Sequence, residues 1–329
     1  LNDVVNFGTT AEVFGPIHSN NGIRFNGLAH NLVTSALLTY SDPDAGGATR
    51  YAVHTTVSPT DPVPPTTLPD RPDIFMAGRE LEVPALDFTK LTQDLADLKA
   101  IASSSDLYFP SSTAQGYDLA FATSGIYRVY RVNTLVSAPS GCSSGGVTGW
   151  GTWSVSSSTL VASGTIPTNG TMFFEDNLWV RGQVDGRRVT VASGRFPDNA
   201  STRSSITVNT PLLYTNYDGT DALALIAQNN MNVGLIASST LRIDAAIIAL
   251  NGRIGRYSYS SNCGSNSSRT LLTTYGMLGT ALRPAFYYSS SNGYQARSYI
   301  YDSNLLYGPP PNFPLTTDQY TQVSWDEVQ

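Results

Sequence analysis

The chain has 329 residues, a formal net charge of −6 and only 13% charged residues, about half the usual fraction of roughly 25%. A sequence pI near 5.0 and 19 Lys and Arg that never form a run exclude the basic footprint of a nucleic-acid binder. No apolar run reaches the roughly 18 residues of a membrane-spanning helix, and the start at Leu1 without a charged n-region suggests a processed ectodomain.

In chain order, Leu1-Asn2-Asp3-Val4-Val5-Asn6-Phe7 reads as a short strand with no turn signal before it. The segment Gly15 to Gly27 continues with Asn and Gly punctuating apolar runs, so residues 1–40 are expected to form first rungs of a β structure. Residues 41–145 read as an insertion. It opens on a Pro-rich loop containing Asp61-Pro62-Val63-Pro64-Pro65. Leu91, Leu95, Leu98 and Ala102 then recur at helical spacing behind Asp87, a candidate N-cap, and predict a helix from about Phe88 to Ser103 over one mouth or side of the fold. Ile126 to Val132 follows as a strand of period two.

Residues 146–304 carry the main pattern. Apolar and β-branched runs at Met172–Phe174, Leu178–Val180, Val189–Ala192, Ile206–Val208, Leu223–Ala227, Met231–Ile236, Leu241–Leu250 and Leu271–Leu278 are cut by Asn and Gly, with no helical pattern between them. That rhythm suits parallel strands coiled so that each level buries its inward face on its neighbours. Residues 305–329 form a tail through Gly308-Pro309-Pro310-Pro311-Asn312-Phe313-Pro314, which cannot pair as a central strand. The tail is expected either to strap across the coil or to reach a neighbour. The fold expected is all-β: a right-handed parallel β-helix with one loop-and-helix insertion and an extended C-terminal tail.

Chemistry on such a scaffold would need carboxylates grouped on one face, with cationic partners. The candidates are Glu175, Asp176, Asp185, Asp221 and Asp244, with Arg181 and Arg242. Adjacent Glu175 and Asp176 face opposite sides of a strand, and alternation turns Asp244 away from Ile243 and Ala245, toward solvent. His18, His30 and His54 have neither zinc-ligand spacing nor a nearby cysteine, and His18 reads as a turn residue bonded to Ser19 and Asn20. No catalytic or cofactor-binding residue is expected. Asn216, Asp218 and Asp221 surround a glycine turn and form a weak Ca²⁺ candidate, which an Asx-Gly turn explains without metal. Asn-x-Ser/Thr sequons fall at Asn169, Asn199 and Asn266.

Cys142 and Cys263 both sit in Gly/Ser-rich loops and are expected to form a disulfide in an oxidising compartment. A β coil ends in open strands, so Val4, Val5 and Phe7 at the start and Tyr320, Val323 and Trp325 at the end are candidate self-association residues.

Five motifs in order resemble a known family: Gly15-Pro16-Ile17-His18-Ser19-Asn20-Asn21-Gly22-Ile23-Arg24-Phe25, Leu178-Trp179-Val180-Arg181-Gly182, Leu225-Ile226-Ala227-Gln228-Asn229-Asn230, Ile243-Asp244-Ala245-Ala246-Ile247-Ile248-Ala249, and Tyr307-Gly308-Pro309-Pro310-Pro311 with Ser324-Trp325. They are similar to large pilin-like or pilus-associated β-helix surface proteins of uncultured candidate-phylum bacteria. The resemblance implies an extracellular or cell-surface structural protein, a filament or pilus-associated subunit or an adhesin, whose partners are further copies, pilus components or surface glycans. The competing readings are a β-helix polysaccharide lyase or hydrolase and a glycan-binding module whose Tyr and Trp stack on sugars.

Overall fold

In the strand Asn169–Phe174 side chains alternate: Met172 and Phe174 enter the main core while Phe173 faces the other way. Met172 pairs in parallel with Val191, Val191 with Leu225, Leu225 with Ile247 and Ile247 with Leu278, which stacks an aliphatic column through the interior. Each such side chain taken from water contributes roughly 1.5–3 kcal/mol. Two further parallel columns run alongside, Leu178–Ile206–Met231–Ile254 and Leu212–Ile243–Thr274–Tyr299. The protein is mostly β, and its strand pairing is largely parallel. The computed structural model describes residues 4–86, 90–144 and 151–313.

The columns do not end with the C-terminal strand Asn292–Tyr301. Ala11–Val13 pairs in parallel with Arg297, Ser298 and Tyr299, and Glu12 and Val13 pair in turn with Leu28 and Ala29. Phe14 N–H donates to Tyr299 O at 2.8 Å and Thr10 Oγ1 to Gln295 O at 3.0 Å. The first levels of the chain are therefore stacked on its last. Beyond them lie Val53–His54 and Arg79–Glu80, joined by the Pro-rich arm. Arg79 is ion-paired there with buried Asp61, whose Oδ2 also accepts from Thr55 N–H at 2.8 Å.

At the opposite end the segment read as insertion contributes strands to the same sheet. Gly116–Ala122 pairs in parallel with Leu178–Val184 and antiparallel with Ile126–Leu135, which pairs antiparallel with Val155–Thr165. The last of these has no second strand partner among the described residues.

The helix spans Lys90–Ser104 and lies on a flank rather than over a mouth. Its Leu95, Leu98 and Ala102 cover an outward column, Phe173–Ala192–Ile226–Ile248, whose members sit one residue past the inward set. An apolar column on an outer face must be covered, and an amphipathic helix covers it. Leu95→Asp should cost the docking about 3–5 kcal/mol by placing a carboxylate against Phe173. Circular dichroism should then lose helix and keep its β signal; loss of both would make the helix integral to the stack.

Candidate functional site

Asp176, Asp221 and Asp244 are 1%, 1% and 0% exposed. A carboxylate so buried must be hydrogen-bonded throughout. Asp176 accepts from Ser112 N–H (2.9 Å), Ser112 Oγ (2.7 Å) and Asn177 N–H (2.8 Å), and is ion-paired with Arg195. Asp221 accepts from Arg187 N–H (3.2 Å), Thr215 N–H (3.0 Å) and Asn216 N–H (2.6 Å). Asp244 accepts from Tyr214 N–H (3.1 Å), Tyr217 OH (2.6 Å) and Arg242 Nε (2.7 Å). Each carboxylate clips a loop to its neighbouring level. Asp185 does likewise for Ser124 N–H at 2.6 Å, and Arg181 is held by Asp118.

One expectation is corrected here. Asp244 does lie opposite Ile243 and Ala245, as alternation requires, but it is not solvated. The loop after Leu212–Tyr214 folds Tyr217 over it, and burial together with the hydrogen bond to Asp244 pushes the Tyr217 phenol up to about 12. In the Asn216-Asp218-Asp221 turn, N–H and O–H donors meet the carboxylates: Asp218 Oδ1 accepts from Thr220 N–H (3.0 Å) and Oγ1 (2.6 Å), and Asn216 Nδ2 donates to Asp221 at 3.2 Å. No group of three or more His, Cys, Asp or Glu is placed to hold a metal among the described residues.

Glu175 receives Lys99 Nζ at 2.8 Å and the Tyr108 hydroxyl. Burial works to raise its pKa, but those two hydrogen bonds prevail and hold it below the usual carboxylate range. It therefore pins the helix to the flank. His18 bonds Asn20 as expected, but its other ring nitrogen meets Thr34 on the next level at 2.9 Å rather than Ser19. His30 meets Glu12 at 2.8 Å. Burial depresses His54, with Asp42 3.8 Å away.

A second region was not anticipated. Between Asp244 and Asp302 the sequence holds Arg253, Arg256, Arg269, Arg283 and Arg297 and not one acidic residue. Arg283 finds a distant partner in Asp44 at 2.9 Å. Arg256, 0% exposed, is served by carbonyls instead, donating to Gly234 O, to Leu235 O at 3.0 Å and to Asn266 O at 2.6 Å. Arg269 shares Leu235 O at 2.8 Å. The Nε atoms of both meet no acceptor, and burial lowers the Arg256 pKa to about 10. Arg256 lies over the Tyr259 ring, 4.8 Å from its centroid. Tyr259 in turn lines an open cleft of about 360 Å³ with Ser143, Ser258, Ser260, Ser267, Ser291 and Asn292, among others.

The cleft is braced by the disulfide. Cys142 and Cys263 are bonded, with Cα atoms 4.4 Å apart. Although both lie in Gly/Ser-rich loops, the two residues are 8% and 1% exposed, packed with Leu235, Tyr257, Tyr259 and Trp153.

No protein-family profile matches the chain, and no curated protein does. Among solved structures the chain is similar to a pilin. That structure is the competence-associated pilin ComZ from Thermus thermophilus, at 10% identity and a TM-score of 0.32, with 95% of this chain and 72% of that chain covered. A TM-score this low carries no argument about function.

The tail is strapped along its own chain as far as Phe313. Asn304 Nδ2 donates to Tyr217 O (3.2 Å), Arg188 Nη2 to Pro309 O (2.6 Å), and Asn312 Nδ2 to Thr171 Oγ1 (2.9 Å), and Phe313 joins the helix cluster. Tyr320, Val323 and Trp325 lie outside the described residues. Of the N-terminal self-association set, Val4 is buried, Val5 and Phe7 pack on their own core with Phe7 4.7 Å from Phe25, and the strand Val5–Phe7 pairs on one side only, with Ile23–Phe25. Among the described residues a longer and more exposed edge lies elsewhere. Val155–Thr165 is uncharged, and at a β-bulge it presents Leu160 and Val161, 52% and 50% exposed.

Proposed function

We propose that the chain is an extracellular structural protein, a right-handed parallel β-helix that serves as a surface filament or pilus-associated subunit. The observation that carries this reading is the engagement of Asp176, Asp221 and Asp244 as buried clips between levels. Groups held by several N–H donors are not free to exchange protons with a substrate, which argues against the lyase and hydrolase readings. A disulfide supports an oxidising compartment.

Assembly is assigned to the Val155–Thr165 edge, with residues 314–329 of a second copy as the occupant. An uncharged edge strand lacks the Lys and Pro that block strand addition, and the tail segment Tyr320 to Trp325 has strand character. Asn312 bonds Thr171, six residues and so about 20 Å of chain after Thr165, which puts the end of the described tail near its own chain's edge; exchange between two copies would bring each tail to the other's edge. Main-chain pairing would supply affinity, and Leu160 and Val161 an apolar contact. Sedimentation velocity tests this. Full-length protein should form concentration-dependent oligomers that vanish on removing residues 314–329 or on Val161→Lys. A full-length monomer at high concentration, or oligomers untouched by both changes, overturns the assembly.

A further inference from the structure

We infer that the serine-lined cleft beside the disulfide binds a carboxylated saccharide of the uronate class. Three independent features meet there. The walls carry hydroxyls and one amide, from Ser258, Ser260, Ser267, Ser289, Ser291 and Asn292, and no charged side chain, which is the complement of a polyhydroxylated ligand. The strand Tyr287–Ser289, which supplies Ser289 to the cleft, also carries Tyr288, a residue 37% exposed beside the lining and of a type suited to stacking on a sugar face, while Arg297 lies over the neighbouring Tyr287 ring at 4.8 Å. Beside Tyr259 and Ser267 stands positive charge that no carboxylate among the described residues answers. Arg256 packs on Tyr259, and Arg269 follows two residues after Ser267 and donates to Asn266 Oδ1 at 2.7 Å. Half-buried Arg253 reaches Tyr288 OH at 3.2 Å.

The charge is what selects acid over neutral sugar. Buried cations in a low-dielectric setting act on a nearby anion far more strongly than exposed ones, and salt screens them less. None of Arg253, Arg256 and Arg269 is ion-paired with a carboxylate among the described residues, and residues 145–150, next to the Ser144 bridge to Tyr259, contain no acid that could answer them. In a chain of net charge −6, the stretch that supplies most of the lining of this hydroxyl-rich cleft carries no acid.

Isothermal titration of the full chain with an oligogalacturonate and with its fully methyl-esterified, neutral form is the test. The acid form should bind at least tenfold tighter. Ser291→Trp, an exposed rim change that fills the cleft, should weaken acid binding at least tenfold without moving the melting temperature. Arg253→Gln should shrink the acid-to-neutral ratio severalfold. Equal binding of the two forms, no binding of the acid form at millimolar concentration, or full binding by a folded Ser291→Trp variant would each overturn the assignment. The outcome is independent of self-assembly.

Discussion

Asp244→Ala should lower the melting temperature by roughly 10 °C. The substitution removes the acceptor of three hydrogen bonds, from Tyr214 N–H, Tyr217 OH and Arg242 Nε, at a residue with no exposed surface. It leaves the Tyr214 N–H buried without a partner and Arg242 without its counter-charge. Breaking a buried ionic network by removing one member costs about 3–5 kcal/mol, and each kcal/mol moves a domain of this size by roughly 2–4 °C. Asp218→Ala is the matched control, since that exposed carboxylate bonds only Thr220 within its own turn and should melt with the parent protein. Denaturant midpoints followed by Tyr fluorescence give the same comparison isothermally. Equal midpoints for the two variants would mean that the clips do not hold one level to the next.

The difference between Asp218 and Asp244 also marks where sequence reasoning stops. Period two places Met172, Val191, Leu225 and Ile247 inward, and the structure stacks them as one column. It is a statement about one strand, however, and says nothing of what lies over its outer face. Asp244 is outward by alternation and buried by a loop that precedes its strand by some twenty residues. Continuous apolar runs were the available warning. Ala222–Ala227 has no polar face at all, and that signals cover on both sides; here the helix supplies it through Leu95 and Leu98. The stacking order was not legible. Ala11 pairs with Arg297, and no local pattern distinguishes that partner from any other apolar strand of similar length. The acid-free arginine stretch was legible, because charge segregation needs no fold to be counted, but a search for carboxylates passes over it.

Replacing both cysteines by serine should have the largest effect on global stability. The bridge joins residues 121 apart in sequence, and in the chain-entropy model a loop of that length contributes on the order of 5 kcal/mol. Its position decides where the loss is felt first. Cys142 lies in the connection between the strands Ile126–Leu135 and Val155–Thr165, while Cys263 lies on the level that carries Tyr259. The disulfide therefore ties the outermost hairpin to the body of the stack. Without it the hairpin retains strand pairing on one side only, and its connection is held by hydrogen bonds such as Trp179 Nε1–Trp153 O at 2.6 Å, Asn209 Nδ2–Trp153 O at 2.8 Å and Tyr259 OH–Gly151 O at 2.8 Å, with the Ser144–Tyr259 bridge. Hydrogen exchange should accelerate in Ile126–Leu135 and Val155–Thr165 before any change reaches the aliphatic column at Val191 and Leu225. Because both cysteines are buried, thiol accessibility must be read in denaturant: no alkylation without reductant and two equivalents with it. Alkylation in denaturant alone, or a double variant with unaltered exchange in the hairpin, would remove the bridge from this account of how the open end of the stack is held.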